Sequence, residues 1–406
     1  MLRLGIIGGG QLARMLAEAA FRLGYRPIVL AGGSATSAPS DDPAAQVCPG
    51  SVFGSWEDPV ALRRFLAQVD TVVFENEFVP RESFEAAGVT EDDARFFPKP
   101  RVLYRLQDKL EQKQVLAELG IPTADFRVVA DGNPIELEQF AKRWPQGFVL
   151  KWARLGYDGK GTWLSPEPSS KSSIPDLTGA IEFCKQAKKK GVQVYAEEKI
   201  AFRRELAVIG CYSVAKQFTA YPLVISEQEK GICRKVKGPA ALFGVSPSLE
   251  KQAQEMAGRL AKKLDLFGSF GVEFFETENG ELKVNEIAPR VHNTGHYTQD
   301  AAECSQFENH WRAVLGLPLG STLTAPAFAM LNLIGGPEGS TALPEPSAYA
   351  RLHWYGKSEF RPGRKLGHLN TRATSAAELE IRMKELAAVE ARWMAPDAKT
   401  KGKSHG

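Results

Sequence analysis

Apolar positions in the first hundred residues fall into two alternating rhythms. Leu2–Ile7 is a short apolar run that reads as a strand and stops at Gly8-Gly9-Gly10. Leu12, Met15, Leu16, Ala19, Ala20 and Leu23 then recur at spacings of three and four, which predicts an amphipathic helix ended by Gly24. Pro27–Ala31 predicts the next strand and Thr71–Phe74 another, with Glu75 and Glu77 beyond its carboxyl end. Strand, helix, strand in that order implies a parallel sheet with right-handed crossovers. Ligands of such sheets bind beyond the carboxyl ends of the strands, where Gly8–Gly10 and Glu75 both fall.

Pro98 and Pro100 punctuate the chain and mark a domain boundary. Residues 108–119 predict a helix stopped by Gly120, and strand-like runs follow at 148–153, 162–164 and 193–197. A helix is expected over 250–264, then strands over 271–275 and 282–287 joined at Asn279-Gly280, a favoured hairpin turn. The last third predicts strands near 327–334 and 349–355, a helix near 376–391, and a polar, basic, disordered tail from Lys399 to Gly406.

The 406 residues correspond to two or three domains. With 51 Lys plus Arg against 48 Asp plus Glu, the +3 excess does not call for a nucleic-acid partner. Apolar runs are interrupted well before the roughly 18 residues that span a bilayer, so no membrane helix is expected. The N-terminal run, which carries one basic residue and leads straight into glycines, is unlike a signal peptide. Five scattered cysteines without a CxxC spacing predict reduced thiols in a cytoplasmic protein rather than a disulfide frame or zinc site.

Four runs carry candidate chemistry. Gly8-Gly9-Gly10-Gln11-Leu12-Ala13 fits Gly-x-Gly-x-x-Ala between a strand and a helix, where backbone N–H groups can meet a phosphate. The second strand ends Leu30-Ala31-Gly32-Gly33 with no acid for a dinucleotide ribose, which disfavours a dehydrogenase. A different phosphate ligand is favoured over a purely structural turn. Lys151, followed by Gly156, Gly159 and Gly161, suits a lysine and a loop closing over nucleotide phosphates, with a glycine-rich hairpin as the plainer alternative. Glu273 and Glu286, on expected neighbouring strands, with Asn285 beside them, offer hard oxygen ligands for Mg2+ carrying phosphates. Arg290 and His292 just beyond would meet an anion there, although a strand glutamate alone is usually a surface charge. Lys357, Arg361, Arg364 and Lys365 surround a Pro-Gly turn, which suits an anion clamp or a solvated basic loop equally.

Together these runs resemble the ATP-grasp ligases, and more narrowly the N5-carboxyaminoimidazole ribonucleotide synthetases of purine biosynthesis. The resemblance is carried by Gly8–Leu12, Gln107-Asp108-Lys109, Ile121-Pro122-Thr123, Gly156–Gly161, Arg204-Glu205-Leu206, Asn285–His296, Ser305–Glu308 and Arg361–His368, and spans roughly residues 4 to 370. It implies an α/β and α+β ATP-grasp fold. A Rossmann-like, parallel-sheet preATP-grasp domain would cover 1–104, and an ATP-grasp domain of small clasp and large lobe 105–300. A small C-terminal domain would cover 301–398, with the tail at 399–406.

The resemblance also implies roles. Lys109, Lys151, the loop Gly156-Tyr157-Asp158-Gly159-Lys160-Gly161-Thr162, the hinge Glu197-Glu198-Lys199-Ile200, Glu205, Gln228, Asn285 and Glu286 would bind ATP. Glu273 and Glu286 would hold Mg2+. Gly9, Gly10, Gln11, Leu12, Glu77, Tyr157, Lys357 and Arg364 would surround 5-aminoimidazole ribonucleotide. Arg290, His292 and Asn293 would hold bicarbonate, with Asp158 and Lys357 also catalytic. A homodimer is implied too. This chain departs from the family pattern at Phe74-Glu75-Asn76-Glu77-Phe78, where the family has Tyr-Glu-Phe-Glu-Asn, and at Thr162, where glutamine is usual. It also has Gln228 in place of a nucleotide-site histidine. The alternatives are another ATP-grasp carboxylate-amine ligase, or a nucleotide-binding homologue with little turnover.

Overall fold

The computed structural model describes residues 2–32, 42–156, 161–167, 174–229, 231–336 and 343–394. The expected disordered tail and loop residues Tyr157, Asp158, Gly159 and Lys160 lie outside them. The first sheet contains β1 (Leu4–Ile7), β2 (Ile28–Ala31), β3 (Val52–Phe53), β4 (Thr71–Phe74) and β5 (Phe96–Phe97). All its pairings are parallel, in the order β3-β2-β1-β4-β5. The helix Gln11–Arg22 buries Leu12, Met15, Leu16, Ala19 and Ala20, the apolar stripe the spacing predicts. Gly24 follows it at φ +83°, a left-handed conformation that suits glycine and ends the helix.

The second sheet contains β6 (Phe126–Val128), β7 (Phe148–Trp152), β8 (Thr162–Leu164) and β9 (Val194–Glu198), in the order β6-β9-β7-β8. It carries Lys151 on β7 and Glu197 on β9.

The third sheet is the largest. It contains β10 (Phe202–Tyr212), β11 (Phe218–Ala220), β12 (Val224–Glu229), β13 (Ile232–Gly238), β14 (Gly268–Thr277), β15 (Leu282–Ala288), β16 (Ala327–Ile334), β17 (Arg351–Trp354) and β18 (Lys365–Ala373). Its order is β15-β14-β10-β12-β13-β16-β18-β17, with β11 against β10. The helix Pro247–Leu264 lays Leu249, Ala253, Ala257, Leu260 and Leu264 into the core cluster on one face. The hairpin expected from Asn279-Gly280 is present as the antiparallel pair β14–β15. The strands of the expected C-terminal domain do not form a sheet of their own. Lys235↔Leu331 and Gly238↔Phe328 stitch β16 to β13, so β16, β18 and β17 extend the sheet that carries the acid pair. No helix among the described residues is long and apolar enough to cross a membrane.

Candidate functional site

A cavity of about 590 Å³ lies where the three sheets converge, with walls from the ends of β4, β7 and β8 and from one face of the third sheet. From the first sheet come Glu75, Asn76 and Glu77, directly after β4. Glu75 turns back and accepts hydrogen bonds from the N–H groups of Gly10 (2.7 Å) and Ala13 (3.0 Å). Burial pushes its carboxyl up, against the pull of those two N–H groups. A Cβ on Gly10 would stand 2.6 Å from Oε1 of Glu75, so glycine there makes room for the acid. Two of the amides that the Gly-rich turn was expected to offer a phosphate, those of Gly10 and Ala13, therefore hold a carboxylate. Gln11 and Leu12 line the cavity, whereas a Cβ on Gly9 would meet Asp42 instead. Asn76 accepts the Phe78 N–H (2.8 Å), a local turn that fixes the loop between the two acids.

The acid pair sits on the third sheet. Glu273 on β14 and Glu286 on β15 are register partners, and both line the cavity. Next to them the register jumps from Glu273↔Glu286 to Phe274↔Val284, leaving Asn285 as a bulged residue. Neighbouring residues of a regular strand point to opposite faces. The bulge lets Asn285 and Glu286 both reach the cavity. Burial, and then the charges of Glu286 and Glu205, push Glu273 up to about 7. Burial opposes charge on Glu286 as well, but Lys109, 2.9 Å away, and Lys151 overcome it and hold that carboxyl below its usual range. Two mutually repelling carboxylates with an amide oxygen are a donor set that a hard divalent cation fits. Among the described residues no group of three or more His, Cys, Asp or Glu converges as a complete metal site, so phosphate and water oxygens would finish the shell.

Lys151 reaches Glu197 (2.5 Å) and the Asn285 Oδ1 (3.3 Å), and Lys113 reaches the other oxygen of Glu197 (2.9 Å). Burial works against ionisation of Glu197, yet the two lysines outweigh it and draw its carboxyl down to about 2. The side chain expected at the adenine hinge is therefore a lysine-positioning group. Glu198 pairs with Lys283 (3.2 Å) and Lys199 with Glu167 (2.9 Å), while Ile200 follows the end of β9. Glu205 and Gln228 line an adjoining cleft of about 750 Å³, and Gln228 lines both spaces. Burial pushes Glu205 up to about 7.

At the far wall, Arg290 grips Glu77 with two nitrogens, Nη2 lying 2.9 Å from Oε1. His292 shares a hydrogen bond between its Nδ1 and Thr294 Oγ1 (2.8 Å). Burial and the adjacent Arg290 push His292 down to about 3, so the ring is neutral, and its Nε2, 3.8 Å from Glu273, forms no ion pair. Asn293 exchanges amide hydrogen bonds with buried Asn332 (2.7 and 3.1 Å), which fixes its orientation. The basic run is placed differently from expectation. Lys357 donates to the Lys365 carbonyl (2.8 Å), Arg364 pairs with Glu359 (2.7 Å), and it is Lys365 that lines the cavity. Gly156 and Thr162 border the cavity from either side of the loop, and Gly161 adopts φ +68°.

Family models match three successive stretches. They are a ribonucleotide synthetase preATP-grasp domain over residues 1–107, an ATP-grasp domain over 114–307, and a phosphoribosylaminoimidazole carboxylase C-terminal domain over 329–382. The N5-carboxyaminoimidazole ribonucleotide synthase of Mycobacterium tuberculosis is 38% identical over 98% of this chain and 89% of its own length. A crystal structure of carboxyaminoimidazole ribonucleotide synthase from Aspergillus clavatus with ATP superposes with a TM-score of 0.83 at 33% identity, covering 96% of this chain and 98% of that one. A second structure from that organism, with ADP and 5-aminoimidazole ribonucleotide, gives a TM-score of 0.83 at 32% identity over 96% of this chain and 99% of that one.

Proposed function

This chain belongs to the N5-carboxyaminoimidazole ribonucleotide synthase family of ATP-grasp ligases, and we propose that it carboxylates 5-aminoimidazole ribonucleotide with ATP and bicarbonate. A bicarbonate oxygen attacks the γ-phosphorus, ADP leaves, and the resulting carboxyphosphate carries a good leaving group on carbon. The exocyclic amine then attacks that carbon, phosphate departs, and the amine loses a proton to give the carbamate. The observation that carries this reading is one cavity holding the Glu273–Glu286 pair, Lys109, Lys151 and the Arg290-His292-Asn293 run.

Each group has work suited to its surroundings. Lys109 and Lys151, already oriented by carboxylates, stand ready to take phosphate oxygens. Mg2+ held by Glu273 and Glu286, with Asn285 beside them, would spread the charge of the transferring phosphoryl group. Arg290 presents to the Glu77 carboxylate the two-pronged fork that bicarbonate would take in its place, and neutral His292 can donate or accept at Nε2. The amine proton passes to a carboxylate, Asp158 or Glu77. Gly9, Gly10, Gln11, Leu12, Glu77, Tyr157, Lys357 and Arg364 are assigned to the ribonucleotide; of these Gln11, Leu12 and Glu77 line the cavity, as does Lys365. Carboxyphosphate is labile in water, so shielding it from solvent is the work assigned to the Gly-rich run 156–162 of the sequence.

Five free, buried cysteines support a reducing, cytoplasmic setting, and the family resemblance supports a homodimer. The test is phosphate release from ATP with each co-substrate omitted in turn. Release that requires both bicarbonate and 5-aminoimidazole ribonucleotide supports the reading. ATP binding without phosphate release, restored by Gln228→His, would replace it with a nucleotide-binding homologue.

A further inference from the structure

Beyond the end of β15 the chain leaves the ladder, and the main-chain groups of His292 need partners from elsewhere. One buried side chain supplies them. Gln306, the first residue of the helix Gln306–Val314, accepts the His292 N–H at Oε1 (2.9 Å) and donates from Nε2 to the His292 carbonyl (2.8 Å). The amide thus pairs with His292 as a neighbouring strand would. The same Nε2 lies 3.4 Å from Nδ1 of His296. Gln306 is itself anchored at both main-chain groups. Its N–H donates to Thr298 Oγ1 (3.0 Å), and its carbonyl accepts from Ser269 Oγ (2.7 Å). A Cβ on Gly295 would stand 2.7 Å from Oε1, so glycine there lets the loop lie close against the amide.

This arrangement leaves one choice for each proton. A main-chain N–H only donates and a carbonyl only accepts, so Oε1 and Nε2 of Gln306 cannot exchange places. Both hydrogens of Nε2 are then committed, one to the His292 carbonyl and one to Nδ1 of His296. Burial keeps the His296 ring neutral, well below the usual histidine range. A neutral ring whose Nδ1 accepts carries its proton on Nε2. That Nε2 has no hydrogen-bond partner among the described residues, and His296 lines the cavity. Asn332 sets the amide of Asn293 from the β16 side, and Gln306 does the corresponding work for the two histidines.

We propose that Gln306 is a positioning residue for the anion-binding run, holding the His292 main chain and fixing His296 as the Nε2–H tautomer, a further donor at that end of the cavity. The proposal rests on the carboxylation reading above, which assigns bicarbonate to this run. Gln306 is fully buried and does not line the cavity, so it acts only through the residues it holds. Donors that are already aimed before the anion arrives cost no reorganisation when charge develops on it.

The test uses full-length Q306M and Q306E, with bicarbonate and ATP varied separately in the phosphate-release assay and the histidine rings observed by nitrogen-15 NMR. Q306M keeps nearly the same length and volume but makes none of the three side-chain bonds. Its bicarbonate KM should rise by about tenfold or more, the scale of losing one or two hydrogen bonds, with the ATP KM changed by less than about threefold. In the parent, His296 should show a protonated Nε2 and a bare Nδ1. Q306E still accepts the His292 N–H but turns an acceptor toward His296, so the proton should move to Nδ1. A residue that only stabilised the fold would lower the melting midpoint without moving the bicarbonate KM or the tautomer. A parental bicarbonate KM in Q306M overturns the proposal, as does an ATP KM that rises as much as the bicarbonate KM. An unmoved proton in Q306E overturns it too. If neither variant folds, the parent decides alone: a proton on Nε2 of His296 supports the proposal and one on Nδ1 overturns it. Phosphate release by the parent that ignores bicarbonate would sink the carboxylation reading itself, a result distinct from any of these.

Discussion

Glu273 and Glu286 share a face of one sheet, yet their surroundings give them different charge. Lys109 keeps Glu286 ionised, while burial and the acid neighbours leave Glu273 near half protonation at neutral pH. Glu286→Gln retains shape and removes the charge, so kcat should drop by about a hundredfold or more. Near-parental turnover at saturating Mg2+ would remove Glu286 from the metal site. The raised Glu273 also fixes a sign. Its folded pKa of about 7 lies above the usual carboxylate value of 4.5, so between those values the folded chain binds more protons than the unfolded one. Without metal, stability should therefore fall as pH rises from about 5 to 8. Melting midpoints of the parent and Glu273→Gln should converge toward low pH and separate above neutrality, the parent being lower. Added Mg2+ with nucleotide should narrow the gap. A parent midpoint with the opposite slope relative to the variant would contradict the buried-acid account. Arg290→Lys keeps charge but loses the fork, so the bicarbonate requirement should rise more than the ATP requirement. Equal weakening of both would move Arg290 away from bicarbonate.

Among the elements, β1 and β4 were legible as short apolar runs that are buried along their whole length. Thr71–Phe74 is buried at every position and reads directly from the sequence as β4. The strands β10, β12 and β13 were not legible. β10 opens Phe202-Arg203-Arg204-Glu205, and β12 runs into Ser226-Glu227-Gln228, so polar positions facing the clefts interrupt the alternation. Bulges hide further, because each shifts the period of two by a residue and so turns a regular pattern into an irregular one. The Gly-rich turn was legible as a turn but not in its partner. The same glycines that admit a phosphate admit Glu75, and only the fold shows the acid arriving from β4. The roles of Glu197 and Lys113 were hidden for a similar reason, since a buried ion pair between distant residues leaves no local signal. At this scale Gly367→Ala tests the register shift at the start of β18, where Leu333↔Gly367 gives way to Ile334↔Lys365 and a Cβ on Gly367 would stand 2.7 Å from the His353 carbonyl. The new methyl group would press on backbone, costing about 1–3 kcal/mol of stability. It should also lower turnover by displacing Lys365, as read by a melting curve and a phosphate-release assay. A variant that melts like the parent and turns over normally would show that the strand has room to shift.

Over the whole molecule, the residues that line the cavity, and to which the proposed chemistry is assigned, come from sheets far apart in sequence. Glu77 is drawn from the first, Lys151 from the second and Glu273 from the third. The order of these units along the chain was readable from prolines, glycines and the resemblance. What was not readable is that β16–β18 join the acid-bearing sheet, which brings Asn332 against Asn293 and Lys365 into the cavity. Gln228 lines both the cavity and the adjoining cleft, so if the proposed nucleotide spans the two, the glutamine in place of a histidine bears on how it is held. Glutamine offers a neutral donor where a protonated ring would give a charge-assisted bond about twice as strong. Gln228→His should therefore tighten ATP modestly, by less than about tenfold, and more at pH 6 than at pH 8. An equal effect at both pH values would place that side chain away from the nucleotide's charge.

The most direct test of carboxylation is phosphate release from Mg-ATP by the unmodified chain, with bicarbonate and 5-aminoimidazole ribonucleotide each present or withheld. The account predicts full release only when both are present, together with one labelled bicarbonate fixed per phosphate. Release that is indifferent to bicarbonate, or that fixes none of the label, would contradict it.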